Sequence, residues 1–184
     1  MSTLAVWWIP VGAGGWLVSR ASGSWERMTA AREGHAPRPL LHAAIEITDR
    51  RGRSVIEMAP AWSGPRTARG VVGTGPVGLP ALGLSVCFRY EIRCWRDGTV
   101  PDLAFAPTPP RIHETSEVVT DAIIMDAANA PRHVWGRDVF GIGDMWNSNS
   151  LIAWLLTRAG IDEHPPSDCS APGWKCGVEA ARRG

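Results

Sequence analysis

The strongest constraint on the fold is a pair of apolar segments in the first third of the chain. Residues 40–48, "LLHAAIEIT", and 54–62, "SVIEMAPAW", are rich in residues that favour strands. They flank the polar turn "DRRGR", in which Gly52 supplies a permissive backbone. This pattern predicts an antiparallel β-hairpin.

Further strand patterns occur on both sides of the hairpin. Residues 86–95, "VCFRYEIRCW", alternate strictly between apolar and polar positions, which is typical of a half-buried antiparallel strand. Residues 63–83 are rich in Gly and Pro and predict a long shaped loop with a short strand at "RGVVG". Two more strands are predicted at 4–11 and 16–20.

Three helices are predicted between the strands. Ser24 and Ser116 are good N-cap residues, and Pro131 and Gly160 are helix stops. Residues 162–184 contain many Pro, Gly and Ser residues and predict an irregular tail. The predicted helices span residues 25–33, 117–130 and 150–159.

The helix over 150–159, "SLIAWLLTRA", is apolar on nearly every side, so it belongs in the middle of the fold. Antiparallel strands mixed with a few helices favour an α+β class over a doubly wound sheet. At 184 residues the chain is expected to form one domain, 1–184, with an antiparallel sheet packed on that central helix.

Charge and hydropathy exclude several kinds of partner. The formal net charge of +1 gives no electrostatic case for nucleic acid or an anionic membrane. The apolar N-terminal stretch "LAVWWIPVGAGGWLV" is interrupted by Pro10 and the GAGG segment, and no basic residue precedes it. We therefore expect no membrane span and no signal peptide, and a cytoplasmic location. The oligomeric state is left open.

The cysteines do not indicate a metal site. They form two pairs, Cys87 with Cys94 and Cys169 with Cys176, and neither six-residue spacing fits a zinc knuckle. The first pair would lie at distant points on one strand and could not form a disulfide. The second pair could meet through the tail, although free thiols are expected in a reducing cytosol. No cofactor and no metal are expected.

The segment "NSNS", residues 147–150, lies directly before the apolar helix and has two interpretations. Asn and Ser are the best N-cap residues, so the cluster can satisfy the first amides of a buried helix. Alternatively, a Ser hydroxyl at this helix start is a nucleophile, which then requires a general base within hydrogen-bond reach.

His42 is the candidate base, because it is the one His of the chain on a predicted strand. Alternation places Glu46 on the same face as His42, and Glu57 lies on the neighbouring strand of the hairpin. If the two carboxylates lay opposite each other they would repel, so a bridging or protonated arrangement would be required. Either Glu could orient the imidazole.

These segments together resemble the circularly permuted papain-like proteins, which include the NlpC-type peptidases, the lecithin–retinol acyltransferase group and the PPPDE deubiquitinase-like group. There, an early strand begins with His and a late helix begins with a nucleophilic Cys, often as Asn-Cys-x-x-Phe. Asn147, Ser148 and Leu151 match that pattern, with Ser in place of Cys, and His42 matches the His. The chain also resembles uncharacterised bacterial proteins with a similar "PVGAGG" start and "APGWKCG" end.

The resemblance implies a hydrolase or acyltransferase acting on an amide or ester of a small molecule or peptide. Ser148 would be the nucleophile, His42 the base and Glu57 the orienting group, with the amides of residues 148–150 forming part of an oxyanion hole. Trp62 and the loop 63–83 would shape the substrate groove. The other expected substrate-binding residues are Trp146, Asn147 and Asn149. The alternative is an inactive member of the same fold that binds a peptide, lipid or protein.

Overall fold

The structure is a computed structural model. The predicted strand at 16–20 lies outside the described residues, as do all but two residues of the predicted helix at 25–33. Residues 63–68, at the start of the Gly/Pro-rich loop, also lie outside the described residues. The described residues are 1–12, 30–31, 34, 36–62, 69–100 and 103–184.

A six-stranded antiparallel sheet forms the centre of the described part of the chain. Its strand order is β4-β5-β3-β2-β1-β6. The strands are β1 (Ser2–Pro10), β2 (Leu41–Asp49), β3 (Gly52–Pro60), β4 (Val71–Pro76), β5 (Arg89–Arg96) and β6 (Arg111–Thr115).

The predicted hairpin is confirmed as β2 and β3. The strands pair from Ile45 with Ile56 down to Asp49 with Gly52. The Asp49 carboxylate accepts from the Arg51 amide at 2.7 Å, and Gly52 has φ of +113°, where a residue with a side chain would be strained. The turn therefore fixes the hairpin register.

Two strands differ from their predictions. β5 begins at Arg89 rather than Val86, because residues 86–88 form a 3₁₀ turn in which the Ser85 hydroxyl accepts from the Cys87 amide. β6 was not predicted as a strand. It pairs with β1 along all of its length, a non-local contact that five alternating residues do not indicate by themselves.

Three helices, α1 (Glu117–Asn129), α2 (Ser148–Arg158) and α3 (Trp174–Arg183), pack against one face of the sheet. The first two confirm the predictions, and the Ser116 hydroxyl caps α1 by accepting from Val119 N–H. The third shows that the predicted irregular tail is wrong beyond residue 173. Gly173, in a left-handed conformation, is the N-cap of α3. The glycines of this segment favour a loop in the sequence pattern, although good helix formers follow them.

The α2 helix is the centre of the core, as its apolar pattern predicts. Its residues from Ser148 through Leu156 are all buried. The helix packs on side chains that β1, β2 and β3 direct to one face, including Trp8, Leu41 and Ile56. The opposite face carries a smaller cluster around Ile9, Ala44 and Val55. The α+β class with a sheet packed on a central helix is therefore confirmed.

Helices α2 and α3 approach each other closely at a glycine. A Cβ added to Gly177 would overlap the Ser150 carbonyl and crowd the Ala153 methyl. Only a residue without a side chain fits there, so Gly177 allows α3 to pack directly on the first turns of α2. No helix in the described segments is long and apolar enough to cross a membrane.

Candidate functional site

The start of α2 is closed by Asn147 and Ser150. The Asn147 Oδ1 atom accepts from the Asn149 amide at 2.9 Å and from the Ser150 amide at 3.4 Å. In return, the Ser150 hydroxyl accepts from the Asn147 amide at 3.0 Å. This is a capping box, with the N-cap one position before Ser148. The capping interpretation of the cluster therefore holds for these two residues.

Asn149 joins the helix to strand β2. Its Oδ1 atom accepts from Ala43 N–H at 2.8 Å, and its Nδ2 atom donates to the Leu41 carbonyl at 3.0 Å. The amide thus imitates a strand neighbour and bonds the backbone on both sides of His42. The start of α2 is fixed beside the strand that carries His42.

Asn149 has room for this because the hairpin opens at its far end. The β2–β3 pairing ends at Ile45 with Ile56, whereas β2 stays paired with β1 as far as Leu41 with Pro10. Beyond Ile56, β3 pairs with β5. Without the Asn149 side chain, the β3-facing backbone groups of β2 would be buried and unpaired at this point.

The "APGWKCG" segment completes the same hydrogen-bond network. The Pro172 carbonyl accepts from Asn147 Nδ2 and from Asn149 Nδ2, both at 2.8 Å. The Gly173 carbonyl accepts from the Ser150 hydroxyl at 2.8 Å. Gly173 has φ of +92°, and a Cβ there would overlap Asn147 Oδ1. The two sequence segments are thus one structural unit.

Asp144 also stabilises this unit, a role at the start of α3 that the sequence does not indicate. Its carboxylate accepts from Gly173 N–H at 2.7 Å and Cys176 N–H at 3.1 Å, at the start of α3. A carboxylate at a helix N-terminus is stabilised by the helix dipole. The signal that could have identified it is a single Asp preceding the NSNS cluster, which is not distinctive.

Ser148 is the first residue of α2 and is 7% exposed. Among the residues that the structure describes, neither its hydroxyl nor its N–H group has a hydrogen bond, whereas the side chains of the other three NSNS residues are all engaged. The amides of Asn149 and Ser150 are bound by Asn147. The predicted oxyanion hole over 148–150 is therefore reduced to the Ser148 amide.

His42 is half-buried on the face of the sheet opposite to α1, α2 and α3. Leu41 and Ala43, its neighbours on β2, belong to the helix-side core, and Ala44 belongs to the cluster on the other face. Alternation therefore directs the His42 ring away from the body of α2. Within the described ranges no hydrogen bond links the Ser148 hydroxyl to the His42 ring.

Glu57 lies on the same face as His42 and is buried in an ion-pair network. Its carboxylate accepts from Arg93 Nη1 at 3.0 Å, and Arg93 also bonds Glu91 at 3.0 Å. Glu91 in turn accepts from Arg69 Nη2 at 3.0 Å. Since these groups compensate one another, the buried charges are tolerated.

Glu46 does not lie opposite Glu57, so the two carboxylates do not face each other across the hairpin. The register sets Glu46 opposite Val55, not opposite Glu57. Its carboxylate accepts from Arg53 Nη1 at 2.7 Å. Each of the two Glu residues thus has its own Arg, and no shared proton is needed.

The two tryptophans that were expected to line a groove differ in their solvent exposure. Trp146 is fully buried, with the His133 ring packed edge-on at 4.9 Å, and burial lowers the pKa of His133. A side chain without exposed surface cannot line an open groove, so that expectation for Trp146 is wrong. Trp62, at the end of β3, is 56% exposed and available to a ligand.

Cys176 is the third residue of α3 and so lies at a helix start. Burial, followed by the nearby Asp144 carboxylate, raises the pKa of this thiol to about 12. The thiol is therefore protonated at neutral pH and cannot replace the missing nucleophile. In the described ranges no three His, Cys, Asp or Glu side chains cluster as a metal site.

No family model, curated protein or solved structure matches this chain.

Proposed function

We propose that this protein is a hydrolase or acyltransferase of the permuted papain-like kind that attacks an amide or ester carbonyl with Ser148. The observation that carries the proposal is the state of Ser148. Its hydroxyl and N–H have no hydrogen bond among the described residues, although it begins a buried helix and its three neighbours are all engaged. Asn149 fixes this position beside the strand of His42.

In the proposed reaction, His42 takes the hydroxyl proton as Ser148 Oγ bonds to the substrate carbonyl carbon. The resulting oxyanion is stabilised by the Ser148 amide and by the positive end of the α2 dipole. When the intermediate collapses, the carbonyl carbon loses its amine or alcohol, which leaves with the proton from His42. Water or another acceptor then releases the acyl group from Ser148.

The proposed roles of His42 and Glu57 follow from the sheet. Both side chains lie on the face away from α1, α2 and α3, and Arg93 orients the Glu57 carboxylate there. The Ser148–His42 hydrogen bond must form across the opening between β2 and β3 when substrate binds. Catalytic hydrogen bonds often tighten only in the substrate complex.

Labelling with a fluorophosphonate, which reacts with activated serines, tests this function. Intact mass should show one adduct, and peptide mapping should place it on Ser148. The adduct should be absent in Ser148→Ala and strongly reduced in His42→Ala, while the control Ser116→Ala, at the exposed cap of α1, should label normally. An adduct elsewhere, or equal labelling of His42→Ala, would contradict the proposed site.

A second candidate is a non-catalytic module that binds a peptide, lipid or protein. The observation that favours it is the direction of His42, whose pleat position turns the ring away from α2. In that case the folded protein would not label, and Ser148→Ala would leave ligand binding unchanged.

A further inference from the structure

Arg89, the first residue of β5, has a guanidinium group that forms no hydrogen bond or ion pair with the described residues. Tyr90 points into the helix-side core, so Arg89 lies on the opposite face with Glu91 and Arg93. The Arg89 Nε atom is buried and has no hydrogen-bond partner, and the side chain makes no ion pair with the described residues. Arg89 is half-buried, and its Nε–H group is an unsatisfied buried donor.

The nearby carboxylates are already committed to other arginines. Glu91 Oε1 accepts from Arg69 Nη2, and Glu91 Oε2 accepts from Arg93 Nε, both at 3.0 Å. Glu57 accepts from Arg93. Among the described residues, this cluster has three arginines and two glutamates, and the excess positive charge lies on Arg89.

The position of Arg89 places it beside the proposed site. Ala61 N–H donates to the Arg89 carbonyl at 2.8 Å, so the end of β3 lies alongside, and Trp62, the next residue, is 56% exposed. Arg89 shares its sheet face with His42 and lies at the end of the sheet where β2 and β3 separate. A ligand at Arg89 can therefore extend toward the opening beside α2.

We propose that Arg89 binds a carboxylate of the ligand through its two terminal Nη groups, with the Trp62 indole packed against the ligand body. The planar fork of a guanidinium matches a carboxylate. One excess charge neutralises a monoanion but not a phosphate dianion. The ligands are therefore carboxylates. If the proposed function holds, on which this last step rests, the substrates are amides or esters that carry a carboxylate away from the reacting bond.

The test is a titration followed by NMR of the arginine Nε–Hε signals, with Arg89→Lys used to assign Arg89. The probes are N-acetylglycine, its uncharged amide and inorganic phosphate. Arg89→Gln removes the charge, and Arg182→Gln, at an exposed arginine of α3, is the matched control. Circular dichroism checks that each variant is folded.

N-Acetylglycine should shift the Arg89 signal saturably, and the amide should not. Affinity should fall at least tenfold in Arg89→Gln and in Arg89→Lys, which lacks the fork, and should stay unchanged in Arg182→Gln. No saturable shift in the wild-type protein, or an equal or stronger response to phosphate, would overturn the proposal. Ser148→Ala should bind normally, so a failure of catalysis and a failure of this site give different results.

Discussion

Asn149 bonds the backbone on both sides of His42. The carboxamide bonds Ala43 N–H and the Leu41 carbonyl, one residue to each side of His42 on β2. One side chain thereby sets the distance between the start of the central helix and the strand of the candidate base. The same carboxamide donates to Pro172, so the α3 segment is held by it too.

Replacing Asn149 with Ala should therefore destabilise the protein strongly. Two buried backbone groups of β2 would lose their partners, which should lower the free energy of unfolding by about 3 kcal/mol. The control is Asn129→Ala, whose exposed side chain bonds only the Met125 carbonyl and whose loss should change stability by less than about 0.5 kcal/mol. Equilibrium urea unfolding measures both. Equal effects would mean that the Asn149 bonds do not matter.

Gly177→Ala tests the close contact of α2 and α3. A Gly-to-Ala change inside a helix normally stabilises by up to about 1 kcal/mol. Here the new methyl would overlap the Ser150 carbonyl, so the free energy of unfolding should fall by about 1–3 kcal/mol. Gly184→Ala, where a Cβ meets only an ordinary contact, serves as the control. A stabilised Gly177→Ala protein would show that the helices separate without cost.

Glu163 joins the segment after α2 to the sheet. Its buried carboxylate accepts from Arg111 Nη1 at 2.6 Å, His113 Nε2 at 2.8 Å and Trp8 Nε1 at 3.4 Å. Glu163→Gln removes the charge from this cluster and should cost about 1–3 kcal/mol, measured by urea unfolding.

The control for that change is Glu179→Gln, which removes the carboxylate of an exposed helical pair with Arg183. Surface pairs of this kind contribute about 0–1 kcal/mol. If both variants lose the same stability, Glu163 behaves as a surface residue and its burial has no energetic consequence.

Thiol reactivity should separate Cys176 from Cys87. The pKa of Cys176 is raised to about 12 by burial, so its thiolate is scarce at pH 8, whereas Cys87 is exposed. Iodoacetamide should modify Cys87 first and Cys176 only after denaturation, as read by peptide mass. Because the unfolded thiol ionises near pH 8.5, Cys176 should also lower stability as pH rises from there toward 12. Rapid native labelling of Cys176 would contradict both expectations.

Local sequence patterns predicted the elements whose signals are themselves local. The β2–β3 hairpin, α1 and α2 were found because alternation, capping residues and a stop residue lie within each segment. β6 was missed because five residues become a strand only by pairing with β1. α3 was missed because Gly173 and Gly177 indicate a loop until their close contacts with Asn147 and Ser150 are known.

The sequence predicted which segments form the candidate site, but not which hydrogen bonds connect them. The NSNS motif marked the helix start, yet the cap is Asn147, and the Asn149 carboxamide bonds the backbone of β2, which the motif does not indicate. Spacing alone cannot show that the hairpin opens before His42, because the opening depends on β3 joining β5. Nor can it show that Trp146 is core, since a buried and a groove tryptophan look alike in sequence.

Ser148→Cys tests whether the start of α2 is built to activate a nucleophile. The helix dipole and an adjacent imidazolium would lower the pKa of a thiol there, so iodoacetamide should label it well below pH 8. Glu117→Cys, at the first position of α1, combined with Arg50→Gln is the matched control: Arg50 pairs with Glu117, so the double variant has the dipole of a capped helix with neither that cation nor His42. The labelling rate at each pH is measured by peptide mass for both variants. The thiol of Ser148→Cys should have the lower pKa of the two, and adding His42→Ala should remove the difference. Equal profiles would indicate a helix start without activating chemistry and would favour the binding module.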